Sequence, residues 1–118
     1  MSAFSGLIVI CVSNLEATVA WYKEKLDLRE SMHLIEDGQP EGILLSSRKD
    51  EIRVVVTAAG PGEPDRPILD THNAAKAREW LMERGVEVGP VQIDRQGTHY
   101  IEMRDLEGNS IEICEEPG

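Results

Sequence analysis

Three histidines, two cysteines and a short alternating run near the C-terminus are the residues of this chain best suited to chemistry. His33, His72 and His99 share no H-x-H or HExxH spacing, so no pair is set on one strand or helix face to hold a metal. Each reads first as a polar strand or surface residue. A neutral imidazole at His33 or His99 that faced a cleft would serve as acid or base, and strand parity leaves that face open. Cys11 and Cys114 form no C-x-x-C and lie in apolar, strand-like runs, with nothing beside them in sequence to lower a thiol pKa. They read as buried free thiols in a reducing cytoplasm rather than as a disulfide. In HYIEMR, Tyr100 and Glu102 alternate with Ile101 and Met103. If the apolar pair packs under a helix, Tyr100 and Glu102 point the other way, into a cleft. No nucleophile elbow, phosphate loop or dinucleotide fingerprint is present.

The elements that must position these residues occur twice. Asn14 and Asn73 lie 59 residues apart in a 118-residue chain, and a Trp follows each by seven positions, Trp21 and Trp80. DEIRVVVTA (Asp50 to Ala58) and GNSIEICEE (Gly108 to Glu116) align at a similar offset. Such a repeat predicts one supersecondary unit used twice, with a seam between the copies where a ligand can sit. In the first half, Gly6–Val12 reads as a buried strand. Asn14 caps a helix over Leu15–Lys25 with Leu15, Val19, Tyr22 and Leu26 as its apolar stripe. Strands follow over Leu28–Ile35, Ile43–Ser46 and Ile52–Ala59. GPGEPDRP is the one Pro/Gly-rich stretch and the natural linker. The second half gives a strand over Ile68–Thr71 and a helix over Asn73–Arg84 stopped by Gly85. A broken strand lies within Val86–Ile93, and two further strands span Thr98–Arg104 and Ser110–Cys114. Trp21 and Trp80 read as core or interface anchors rather than stacking platforms.

Length and charge bound the function. The chain suits one domain, or two small modules sharing a core. Its net charge of −10 argues against a nucleic-acid partner, since phosphates need a basic face. The same charge permits a cationic ligand, although solubility alone explains it. No apolar run approaches the about 18 residues of a membrane span. The opening MSAFSGLIVICV has no cationic stretch before its apolar run, which fits a buried strand and not a signal peptide.

Two stretches resemble a known family. YIEMRDLEGNSIEI is similar to the closing hairpin of the vicinal oxygen chelate superfamily, which includes glyoxalases, bleomycin-resistance proteins, fosfomycin-resistance enzymes and extradiol dioxygenases. That hairpin commonly reads as an aromatic, D-P-D-G-N, then an apolar-Glu-apolar strand. Asp105, Gly108, Asn109 and Glu112 match; Met103 takes the aromatic place and Leu106-Glu107 replaces Pro-Asp. VSNLEATVAWYKEKLDL resembles the family's opening V-S-D-L, helix and W-Y. The resemblance covers nearly the whole chain. It implies a single α+β, glyoxalase-like domain of two βαβββ modules, residues 1–59 and 67–118, joined by the linker 60–66. Their curved mixed sheets would enclose a cleft, at or near the interface of a homodimer.

The resemblance also implies where metal ligands would stand: on the first and last strand of each module. Read onto this chain at the 59-residue offset, those positions are Leu7, Arg53, Arg66 and Glu112. Leu7 cannot bind a metal and an arginine repels one. The expectation is therefore no metal and no cofactor, with Arg53, Arg66, Tyr100, Glu102 and Glu112 lining the cleft. Glu112 reads as a structural carboxylate tied to Arg53 or solvent, as a ligand contact, or as a metal ligand. The leading function is metal-free binding of a small molecule in a dimeric cleft, in the manner of a sequestering resistance protein. The alternatives are a metal-dependent lyase, isomerase or dioxygenase of the same superfamily, and a regulatory protein without ligand chemistry.

Overall fold

The computed structural model describes residues 4–35, 37–38, 41–58 and 67–116. The expected linker and Arg66 lie outside them. Along the chain come β1 (Gly6–Cys11), α1 (Leu15–Lys25), β2 (Arg29–Leu34), β3 (Gly42–Ser46) and β4 (Ile52–Thr57). The second half follows with β5 (Ile68–Thr71), α2 (Ala74–Glu83), β6 (Glu87–Val88), β7 (Gln92–Ile93), β8 (His99–Arg104) and β9 (Ser110–Glu115). The strand expected within Val86–Ile93 is thus two short ones, separated where Gly89 and Pro90 interrupt the ladder.

Both helices start by the same device. The Asn14 side-chain oxygen accepts from Ala17 N at 3.0 Å, and that of Asn73 from Lys76 N at 3.0 Å, each satisfying a free N–H of the first turn. Gly85 ends α2 in the left-handed region, φ +75°, where a side chain would be strained.

The strands form two mixed sheets, ordered β1-β4-β3-β2 and β5-β9-β8-β6, with β7 also on β8. β1 runs parallel to β4 and β5 parallel to β9; the remaining pairs are antiparallel. The sheets meet where Ser5 and Asp70 exchange two backbone hydrogen bonds of 2.8 Å. Gly6 makes that approach possible: its φ is +131°, and a Cβ there would stand 3.1 Å from Leu69 Cδ2.

One face of each sheet is covered. α1 packs on β3 and β4, and α2 on β6, β8 and β9. Beneath the helices lie Ile8, Ile10, Leu45, Ile52, Val54 and Val56 in the first sheet, and Leu69, Ile101, Met103, Ile111 and Ile113 in the second. The expected stripe is the contact: Val19, Tyr22 and Leu26 are buried and Leu15 is partly so, while Ala77 and Leu81 do the same for α2.

The first helix is also tied to the opposite half. Tyr22 is fully buried and its hydroxyl donates to Asp105 Oδ2 at 2.7 Å. Asp105 Oδ1 accepts from Glu107 N and Asn109 N, closing the β8–β9 turn on itself. Glu107 then reaches the entry of α1, accepting from Ser13 N at 2.8 Å and Asn14 N at 2.7 Å.

Candidate functional site

The candidate site is the side of the sheets without helices. Period-2 alternation forces every second strand residue onto it. Ile101 and Met103 are buried under α2, so Tyr100 and Glu102 do face the other way, as the alternation predicts. On the first sheet, one rung of this open face reads Leu7, Arg53, Ser46, Arg29, and the next Val9, Val55, Leu44, Met32. On the second sheet, the matching rungs read Ile68, Glu112, Glu102 and Asp70, Cys114, Tyr100, Gln92.

Large apolar side chains lie open here. Leu7 is 60% exposed, Val9 55%, Met32 56% and Ile68 48%. They run from the β2 side of the first sheet to the junction between the sheets, where Leu7 and Ile68 follow the Ser5–Asp70 bridge. Charge is divided about that junction. Arg53 is exposed beside Leu7, while Glu112, half-buried, stands beside Ile68 and directly opposite Glu102. Two carboxylates facing each other across a ladder repel. Glu102 is held by a short hydrogen bond from Ser110 Oγ. Tyr100, half-buried, donates from Oη to Gln92 Oε1 at 3.1 Å.

Arg53 and Glu112 do not meet. Three strand spacings separate them, about 14 Å at the usual inter-strand distance, and among the described residues no ion pair joins them. The expectation of Glu112 tied to Arg53 therefore fails on register. The expected partner position of Arg66 is also displaced: the residue opposite Glu112, as Leu7 is opposite Arg53, is Ile68. The strand-to-helix connection is two residues shorter in the second half, since Leu7 precedes Asn14 by seven and Ile68 precedes Asn73 by five.

The histidines stand elsewhere. His33 Nε2 lies 2.6 Å from Glu41 Oε1 and pairs with Ile43 on the helix side of the first sheet. His99 Nδ1 is 3.5 Å from Glu115 Oε2, and His72 Nδ1 is 3.6 Å from Glu116 Oε2. Both cysteines are free thiols. Cys114 is on the open face, and burial, then the charges of Glu112, Asp70 and Asp94, raises its pKa, which keeps it protonated and a poor nucleophile.

The profile of the Glyoxalase/Bleomycin resistance protein/Dioxygenase superfamily matches residues 5–113. The chain belongs to that superfamily. Among curated proteins none matches. Solved structures with the same fold include a member of this superfamily from Sphaerobacter thermophilus, at 22% identity and TM-score 0.73, covering 97% of this chain and 98% of that one. TnmS3, an antibiotic binding protein from Streptomyces sp. CB03234, has 18% identity and TM-score 0.72, with 96% and 95% covered. A glyoxalase family protein from Enterococcus faecalis has 19% identity and TM-score 0.67, with 94% of each chain covered.

The positions that the resemblance assigns to metal ligands are Leu7, Arg53 and Glu112, with Ile68 in register where Arg66 was expected. This superfamily member offers one donor side chain among the four, two hydrocarbons and one fixed cation. Among the described residues no three His, Cys, Asp or Glu side chains converge on a common point. A divalent site needs three or four such donors, and the described residues of one copy do not bring such a set together.

Proposed function

We propose that this chain binds a small molecule on the open face of its sheets, without a metal, and that a second copy completes the cleft. The observation that carries this reading is the exposed apolar strip of Leu7, Val9, Met32 and Ile68, with charges of opposite sign on either side of the Leu7–Ile68 junction. An apolar strip rimmed by fixed charge is the pattern of a ligand groove or an interface. The fitting ligand has an apolar body, a basic group directed at Glu102 and Glu112, and an acidic or hydrogen-bond-accepting group directed at Arg53. The likeness of the fold to that of the antibiotic-binding TnmS3 supports a sequestering role. The free thiols suit a reducing compartment.

A second reading, a metal-dependent lyase, isomerase or dioxygenase, draws on Glu112 standing at the family's glutamate position with Glu102 opposite it. A thermal-shift panel of zwitterionic, cationic and anionic amphiphiles separates the two. Binding well above Kd raises stability by about 2–4 kcal/mol. A zwitterionic hit whose shift is lost in Glu102→Gln and in Arg53→Gln, or a cationic hit whose shift is lost in Glu102→Gln, supports the binder. Hits that need added Zn, Ni, Mn or Fe support the enzyme.

A further inference from the structure

We propose that a cavity on the helix side of the molecule, distinct from the open face, is a second binding site that takes a small aromatic anion. The cavity, of about 320 Å³, lies where the last turn of α2 faces the β3–β4 turn and the end of α1. That volume is at the lower end of small-molecule pockets. Its aromatic wall is Trp80, with the Phe4 ring set edge-on at 5.3 Å and 85°. The Arg84 guanidinium lies 3.5 Å over the Trp80 ring and donates to Trp80 O at 3.3 Å. A guanidinium held over an indole and tied to its backbone is pre-oriented, and its remaining N–H groups are left for an acceptor.

The opposite wall brings Arg48 and Lys49. Neither side chain has a hydrogen-bond or ion-pair partner among the described residues. Asp27 and Glu51 also line the cavity, and neither is paired with these cations, so the lining carries one net positive charge. In a chain of net charge −10, three of whose 12 basic residues gather around this one cavity, that sign runs against the rest of the molecule. The corresponding turn of the other half behaves differently. There the residue 59 positions after Arg48 is Glu107, whose carboxylate is already docked on Ser13 N and Asn14 N. One turn thus supplies its own anion to a waiting donor pair, while the other presents unpaired cations to an open space. A single carboxylate on a flat ring matches this set: the ring lies along Trp80 and Arg84, and the carboxylate meets Arg48 and Lys49. Asp27 and Glu51 disfavour a more highly charged anion.

Naphthalene-2-carboxylate titrated into the ¹⁵N-labelled full chain tests this. Indole N–H signals are assigned with Trp21→Phe. The Trp80 signal is expected to move and saturate with one equivalent bound, while the Trp21 signal stays. Arg48→Gln and Lys49→Gln, both at exposed turn positions, are each expected to weaken binding by about tenfold, the usual scale of a charge-assisted hydrogen bond. The neutral 2-naphthamide is expected to weaken it as much. The proposal is overturned if Trp80 shows no saturable shift, if the amide binds as well as the acid, or if both variants bind as tightly as wild type. It is equally overturned if the shifts fall on β4 and β9 with Trp80 unmoved, which would place the probe on the open face. None of these outcomes bears on whether the open face binds its own ligand.

Discussion

Glu107 sits in a surface turn, yet its carboxylate accepts two backbone N–H groups at the entry of α1 and a third, longer contact of 3.4 Å from Thr18 Oγ1. The backbone hydrogen bonds from Ser13 and Asn14 hold its pKa below the ordinary 4.5. A carboxyl whose pKa is lowered by folding stabilises the fold above its unfolded value, and that contribution is lost as pH falls through the lowered one. Wild type should therefore melt higher than Glu107→Gln at neutral pH, with the gap closing as pH drops below 4.5. A gap that persists unchanged into strong acid would show that the contact is not ionic. Burial, with the Asp105 carboxylate beside it, raises the Tyr22 phenol pKa, so the hydroxyl remains a donor throughout the working range. Tyr22→Phe should cost about 1.5–3 kcal/mol in urea unfolding, because it removes a buried hydrogen bond to a charged acceptor. Asp105, Gly108 and Asn109 were legible as a turn from their types. That Glu107 closes onto α1 was not, because its partners lie 93 and 94 residues away and no local pattern encodes that meeting.

At the scale of elements, the helix entries were the clearest signals. An Asn before an apolar periodic run specifies its own hydrogen bond, and Leu15–Lys25 is the helix expected. Asn14→Ala and Asn73→Ala should each cost about 1 kcal/mol, and by similar amounts, since the two caps have the same geometry. Unequal losses of several-fold would mean that the two helices are not equivalent parts. Among the described residues, which exclude the expected end at Ala59, strand ends were legible to within two residues, apart from the break at Gly89 and Pro90. Pairing between the halves was not. The 59-residue offset holds from Arg53 on β4 to Glu112 on β9, but the first strands differ by two residues, so that Ile68 and not Arg66 stands opposite Glu112. Helix caps fix where an element starts; only the ladder fixes which residues face each other across it. The junction itself depends on Gly6. Gly6→Val forces a branched side chain into a positive-φ position and against Leu69, and should cost about 1–3 kcal/mol by thermal unfolding. A stability loss below that range would mean the two sheets do not meet there as described.

At the scale of the whole molecule, the helices cover one side of the sheets and leave the other exposed. A face with Leu7, Val9, Met32 and Ile68 open to water favours a second surface laid over it. We expect a homodimer, and expect Val9→Lys and Met32→Lys to shift sedimentation equilibrium at micromolar concentration toward the monomer. A wild type that is monomeric throughout would remove the second copy from the account. That the face exists followed from strand alternation; that its charges divide, with Arg53 on one side and Glu102 with Glu112 on the other, depends on which edges of the two sheets adjoin, and nothing local in the sequence states that. We propose that this face binds its ligand without a metal. Elemental analysis of protein purified without chelator, as wild type and as Glu112→Gln, tests it most directly. Metal far below one equivalent is expected in both. Stoichiometric Zn, Ni, Mn or Fe in wild type that is lost in Glu112→Gln would contradict it and make the metal-dependent enzyme the better reading.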